Sequence, residues 1–222
     1  MKTRDRILAT SLQLFNRQGE RSVSTNHIAA ELGISPGNLY YHVANKEAII
    51  AALFGQYSDE MRQILRAPAD RLLTMDDKLV LFEAILDCMW RYRFLHRDLV
   101  HLVSDSETLR ERYRAFAADL MHAAHSIYRV QAAHEQMLLS EADISALVVN
   151  LWIIATGWVS FVTSTGFFGD DEPLTEERLR QGIYQILCLE APYVQQAVRP
   201  QFEALKSRYG KPLRLSQPLV TG

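Results

Sequence analysis

Asn38, Tyr40, Tyr41 and His42 fall within one short run, Ser35-Pro36-Gly37-Asn38-Leu39-Tyr40-Tyr41-His42. Each carries a group that can hydrogen-bond to phosphate oxygens or base edges. Tyrosine hydroxyls and the first amides of a helix suit phosphates, and the Asn38 amide suits an adenine edge. Neighbouring tyrosines are poor surface residues unless they touch something. Asn45 caps a following helix, and Lys46 sets an ammonium beside that junction, also suited to a phosphate. The chemistry in reach is recognition of nucleic acid.

Such groups have to be held, and the flanking residues provide for it. Gly33 follows an apolar helical face of Ile28, Ala29 and Leu32, and suits the left-handed conformation that ends a helix. Ile34 tucks inward, and Ser35-Pro36 reads as the N-cap and first-turn proline of a second helix. Ala29 is small where that helix crosses, and Leu39 anchors it from inside. A small residue, a glycine four positions on and an aliphatic six further is helix-turn-helix spacing. An ordinary helical hairpin with a glycine turn shares the spacing; the polar cluster on the second helix separates the two. Upstream, Ile7, Leu8, Leu12, Leu14 and Phe15 form an apolar stripe from Thr3 to Arg17, ended by Gly19. This helix completes a three-helix head, with Lys2, Arg4 and Arg6 at its start either near the DNA backbone or simply solvated.

The run TNHIAAELGISPGNLYYHVANKE resembles the N-terminal signature of TetR-type transcriptional regulators. The resemblance covers residues 3–52, with the Gly-Ile-Ser, Leu-Tyr-Tyr-His and Asn-Lys-Glu pieces at matching spacing. It implies that Thr25, Tyr40, Tyr41 and Lys46 meet phosphates. It places Ser35, Pro36, Gly37, Asn38 and His42 along the major groove or its rim, and Asn26 where some members read a base. Val43 departs from the pattern, since phenylalanine is commoner there. The resemblance also implies a homodimer on a palindromic double-stranded operator, with a body cavity that binds a small molecule and changes the spacing of the heads.

Composition fits this reading. Residues 1–50 carry six Lys/Arg and four Asp/Glu, while the rest carries eighteen and twenty-two, so a mildly basic head precedes an acidic body. The net charge of −2 argues against indiscriminate coating of nucleic acid. Cys88 and Cys188 lie far apart, match no metal spacing and read as apolar residues in a reducing cytoplasm. The opening Met-Lys-Thr-Arg-Asp-Arg lacks the apolar stretch of a secretory signal. No glycine-rich phosphate loop, nucleophile elbow or framed carboxylate pair points to catalysis. Neither enzyme activity nor a cofactor is expected.

The fold class expected is all-α, with domains over 1–48 (head), 49–210 (effector-binding and dimerisation) and 211–222 (tail). Helical spacing recurs from Lys46 to Arg66, Asp76 to Tyr92, Ser106 to Ala133 and Thr175 to Leu189. The stretch Ala146 to Phe168 has no charge over 23 residues, long enough to span a bilayer. Its internal Asn, Thr and Ser residues, its acidic flanks and the lack of a basic cluster favour instead a helix buried on nearly all sides, and no membrane. Thr156, Gly157, Ser160 and Ser164 make a narrow face for close helix approach. With Leu179, Ile183 and Ile186 on the next helix, they form the expected dimer interface, since the resemblance implies a four-helix bundle across a two-fold axis. Met61, Phe82, Met89, Trp90, Phe94, Phe116, Leu120 and Trp152 are candidates to line an apolar effector pocket, and equally candidates for plain core packing. They lean the effector towards a small hydrophobic or aromatic compound. His122 and His125, three apart on one helix, lack cysteine or carboxylate company in sequence, so no metal site is expected. The competing reading keeps the DNA head but gives the body an architectural or protein-docking role without an effector.

Overall fold

Helix ends in this chain are set by polar side chains and by backbone turns of fixed hand. The computed structural model describes residues 2–66, 72–165 and 174–210. Among these it forms ten α-helices: α1 Thr3–Gln18, α2 Thr25–Leu32, α3 Pro36–His42, α4 Lys46–Leu65, α5 Met75–Arg91, α6 Arg93–Asp105, α7 Glu107–Ala133, α8 Glu141–Ser164, α9 Glu176–Glu190 and α10 Arg199–Ser207. A short 3-10 turn, Ala191–Tyr193, follows α9. The one β contact among the described residues is an antiparallel bridge between Met137 and Val194. The all-α expectation holds.

The chain divides into two compact units, residues 1–63 with 91–118 and residues 64–90 with 119–222. In the first, α1 lays Ile7, Leu8, Leu14 and Phe15 against α2 and α3, which contribute Ile28, Ala29 and Leu39. Val43, the departure noted above, is buried there as well. The start of α4 adds Ile49, Ile50, Leu53 and Phe54. Phe116 of α7 meets Phe54 and Tyr57 at ring-centroid distances of 5.6 and 5.4 Å.

Helical spacing predicts one helix ending at Tyr92 and does not predict α6. The break at Tyr92 is stabilised from α1: Asn16 Nδ2 donates to the Arg91 carbonyl at 2.8 Å, and Asn16 Oδ1 accepts from Phe94 N at 3.1 Å. One amide thus serves the last carbonyls of α5 and the first amides of α6. No local signal announces a cap that comes from so far away in sequence. Helical spacing does not predict α10 either.

The second unit centres on α8 and α9. Helix α8 starts at Glu141, earlier than Ala146, because Ser140 and Asp143 form a reciprocal cap: Ser140 Oγ accepts from Asp143 N at 3.2 Å, and Ser140 N donates to Asp143 Oδ2 at 2.9 Å. Its expected end at Phe168 lies outside the described residues, as do Ala67-Pro68 and the tail 211–222. Gly182 of α9 lets α8 approach so closely that a Cβ there would meet Trp158 Cδ1 at 2.8 Å. Trp158 Nε1 donates to the Arg178 carbonyl at 2.7 Å. Deeper in, Lys78 Nζ lies 2.6 Å from Glu190 Oε2 and Tyr128 donates its hydroxyl proton to the other oxygen of that carboxylate. Burial, and then the Glu190 charge, push the Tyr128 hydroxyl well above the ordinary tyrosine range.

One expectation is corrected here. Helix α8 is not buried on nearly all sides within the chain: Ile144, Leu147, Val148, Trp158, Val159 and Val162 face inward, while Val149, Ile153 and Phe161 are exposed. It is long and apolar enough to cross a membrane, but its inner face is packed on the amphipathic α9. His125 also has the carboxylate company its sequence neighbourhood lacked, with Nε2 3.6 Å from Glu141 Oε2.

Candidate nucleic-acid interface

The geometry of α2 and α3 follows from three caps. Ser24 Oγ accepts from His27 N at 3.3 Å, and His27 Nδ1 accepts from Ser24 N at the same distance. The imidazole thus takes the place of the glutamate of a capping box. At the other end Gly33 adopts φ 64°, ψ 31°. There Ile34 N donates to the Ala29 carbonyl at 3.0 Å and Gly33 N to the Ala30 carbonyl at 3.1 Å, a Schellman turn. Ser35 Oγ then accepts from Asn38 N at 3.2 Å with Pro36 in the first turn. Asn45 Oδ1 caps α4 by accepting from Ala48 N at 2.8 Å.

With Leu39 fully buried, the rest of α3 is turned outward. Asn26, Ser35, Pro36, Gly37, Asn38, Tyr40 and Tyr41 are exposed, and Thr25 and His42 are half-buried. Tyr41 is 85% exposed and stands edge-on to His42, ring centroids 5.0 Å apart. The Tyr40 hydroxyl lies 2.8 Å from Thr25 Oγ1, tying α3 to the start of α2. Nine of the ten residues expected at DNA therefore share the surface of this motif. Backbone amides at the start of α3, hydroxyls on both helices and the exposed side-chain amides of Asn26 and Asn38 make a surface fitted to phosphates and base edges.

Lys46 is placed differently. Its Nζ lies 2.6 Å from Glu20 Oε1, donates to the Glu20 carbonyl at 2.7 Å and sits 5.9 Å over the Phe15 ring. The ammonium pins α4 to the loop after α1, a structural task that accounts for it without a phosphate. Glu20, 5% exposed, was not singled out from the sequence. Its partners Lys46 and His101 are distant along the chain, so spacing holds no trace of them. His27 and Asn16 were missed for the same kind of reason, since their roles lie in caps.

Residues 7–53 match the family model described as bacterial regulatory proteins of the tetR family. Residues 56–202 match the one described as a bacterial transcriptional repressor, which alone spans more than half of the chain. The chain belongs to the TetR family. A TetR-family transcriptional regulator from Marinobacter aquaeolei VT8 is 40% identical with a TM-score of 0.86, over 95% of this chain and 100% of that one. The TetR-family protein CprB of Streptomyces coelicolor, solved in complex with its biological operator sequence, shares the fold at 20% identity and a TM-score of 0.65, over 93% and 95% of the two chains. The HTH-type transcriptional regulator UidR of Escherichia coli K12 is 35% identical over 74 residues, 33% of this chain and 38% of UidR, so the chain spans well under half of that curated relative. The match to residues 7–53 contains the exposed polar helix α3.

The residues expected in the body lie in both units. In the first, Met61, Phe94 and Phe116 are buried; in the second, Phe82, Met89 and Leu120 are buried and Trp90 and Trp152 half-buried. Of the expected dimer residues, Gly157, Ser160 and Ser164 are exposed on α8 and Thr156 is half-buried, whereas Leu179, Ile183 and Ile186 are taken up by the core of their own unit. His96 is buried. Its Nε2 has no hydrogen-bond partner among the described residues, it stands edge-on to Tyr57 at 5.5 Å, and burial pulls its pKa down to about 4.

Proposed function

We propose that this chain is a homodimeric repressor that binds a palindromic operator through two copies of α3 and releases it when a small hydrophobic or aromatic effector binds the body. The observation that carries the reading is the exposure of Asn38, Tyr40 and Tyr41 on a short helix capped at its start and anchored by Leu39. Two turns of helix reach only a few base pairs. A pair of heads about one helical repeat apart, roughly 34–36 Å, reads a palindrome and multiplies the discrimination. The uncovered apolar face of α8 supports pairing, with Val149, Ile153 and Phe161 beside the small Gly157 and Ser160. An apolar effector is supported by the rings of Phe54, Tyr57, Tyr113 and Phe116, which cluster with an imidazole that burial keeps neutral. The effector acts as a population shift, weakening DNA affinity by its differential affinity for the two states.

Selection of bound sequences from a random DNA pool tests the reading directly. An inverted repeat with half-sites about one helical turn apart is expected; enrichment of a single half-site, or of nothing, refutes it. In the same assay Asn38→Ala should relax preference at one base position per half-site, worth about 1–3 kcal/mol. An unchanged preferred sequence would show that Asn38 reads no base.

A further inference from the structure

Arg97 and Asp98 of α6 lie outside the helix-turn-helix motif, yet together they hold the turn that leads into it. Gly19 bends the chain at φ 87° as it leaves α1. Arg97 Nη2 donates to the Phe15 carbonyl before the bend at 2.9 Å, and Asp98 Oδ2 accepts from Glu20 N after it at 3.3 Å. The two side chains are also bonded to each other, with Arg97 donating from Nη2 to Asp98 Oδ2 at 3.1 Å and from Nε to Oδ1 at 3.3 Å. The guanidinium lies over the glycine itself, where a Cβ would meet Nη2 at 3.6 Å. Arg97 and Asp98 thus form a clip closed over one bend. From the other direction, Asn16 of α1 holds both sides of the break before α6. All these residues belong to the first unit.

The clipped turn runs straight into the motif. Its Glu20 carbonyl accepts from Lys46 Nζ at 2.7 Å and from Val23 N at 3.2 Å, and Ser24 then caps α2. Helices α2 and α3 are tied by the turn at Gly33 and by the Thr25–Tyr40 hydroxyl pair, so the start of α2 sets where α3 lies. Hydrogen bonds to base edges weaken steeply with angle and distance, whereas charge attraction to phosphates tolerates displacement. We infer that Arg97 and Asp98 are positioning residues for sequence-specific DNA reading: they fix residues 19–23 and through them seat α2 and α3 on the base edges. The inference rests on the reading of α3 as the helix that meets DNA. Asp98 gives the sharper test, because its charge and its bond act in opposite directions. Removing a carboxylate favours DNA of any sequence, by charge alone. Losing the bond to Glu20 N weakens only the preferred sequence.

The test is fluorescence anisotropy of the full chain with the inverted repeat selected from the random pool and with a scrambled duplex of equal length. Asp98→Ala should bind the repeat at least about fivefold more weakly than the parent, with affinity for the scrambled duplex within about twofold of it. Asp98→Asn loses the same charge but keeps an acceptor for Glu20 N, and should restore repeat affinity to within about twofold of the parent. Circular dichroism checks that each variant is folded at the assay temperature. If Asp98→Ala is not, Arg97→Gln, which removes the donor to the Phe15 carbonyl, decides in its place by the ratio of the two affinities. Equal losses on both duplexes, an Asp98→Ala chain that matches the parent, or an Asp98→Asn chain as weak as Asp98→Ala each overturns the inference. An empty selection with the parent refutes the DNA reading itself and this inference with it, so the two failures are told apart.

Discussion

Lys46 and Asn38 lie eight positions apart and do different work. Asn38 is exposed with its side-chain amide outward, whereas the ammonium of Lys46 is held by a buried carboxylate. Lys46→Met strands the Glu20 charge, so unfolding in urea should show a loss of about 3 kcal/mol. The salt dependence of DNA affinity should stay unchanged, because no phosphate contact is removed; a flatter slope with native stability would restore Lys46 to the DNA surface. His96 gives a pH signature. Its folded pKa of about 4 lies below the ordinary value of 6.5, so the unfolded chain binds a proton that the folded chain refuses. The stability it contributes is therefore whole above about pH 6.5 and is lost as pH falls towards 4, up to about 3 kcal/mol. His96→Phe should flatten that part of the stability profile measured by denaturant titration at successive pH values. At this scale the sequence was legible where function and exposure coincide, as in Tyr40 and Tyr41, and illegible where a charge serves a distant partner.

Helix ends show what one local motif does in two settings. Helix α2 closes with a Schellman turn whose left-handed position is Gly33, visible in the sequence as a glycine after an apolar face. Helix α7 closes with the same pair of bonds, Gln136 N to the Gln131 carbonyl and Glu135 N to the Ala132 carbonyl, both 3.0 Å. There the left-handed residue is Glu135, at φ 53°. An L-residue is strained in that region by roughly 1–2 kcal/mol, partly offset on replacement by the greater freedom of glycine in the unfolded chain. Glu135→Gly should accordingly raise stability by about 1 kcal/mol in denaturant unfolding; a loss would mean that the exposed carboxylate has an interaction of its own. Sequence periodicity located most of the helices because each buries one stripe. It did not predict α6 because the Asn16 amide that stabilises the break before it belongs to α1.

For the whole molecule, the decisive surface is the outer face of α8. Ile153 is 59% exposed, with Val149 and Phe161 also uncovered, on a helix whose inner face is packed on α9. Ile153→Glu places a charge in the proposed two-fold contact without disturbing the inner face. Sedimentation should show monomers at concentrations where the parent chain is dimeric, with helicity retained and palindrome affinity reduced at least about a hundredfold, as for a single half-site. A variant that stays dimeric would move the interface off this face. The amino-acid sequence by itself determined the helical class, the motif from Ser24 to Lys46 and the polar outward face of α3, because caps, glycine turns and apolar stripes are local and periodic. Tertiary structure alone decided which charges are free to act. It committed Lys46 to Glu20, buried His96, consumed Leu179, Ile183 and Ile186 in their own core, and left one face of α8 bare. Those outcomes depend on contacts between residues far apart in the chain, and desolvation, unlike a helical repeat, leaves no period in the sequence to read.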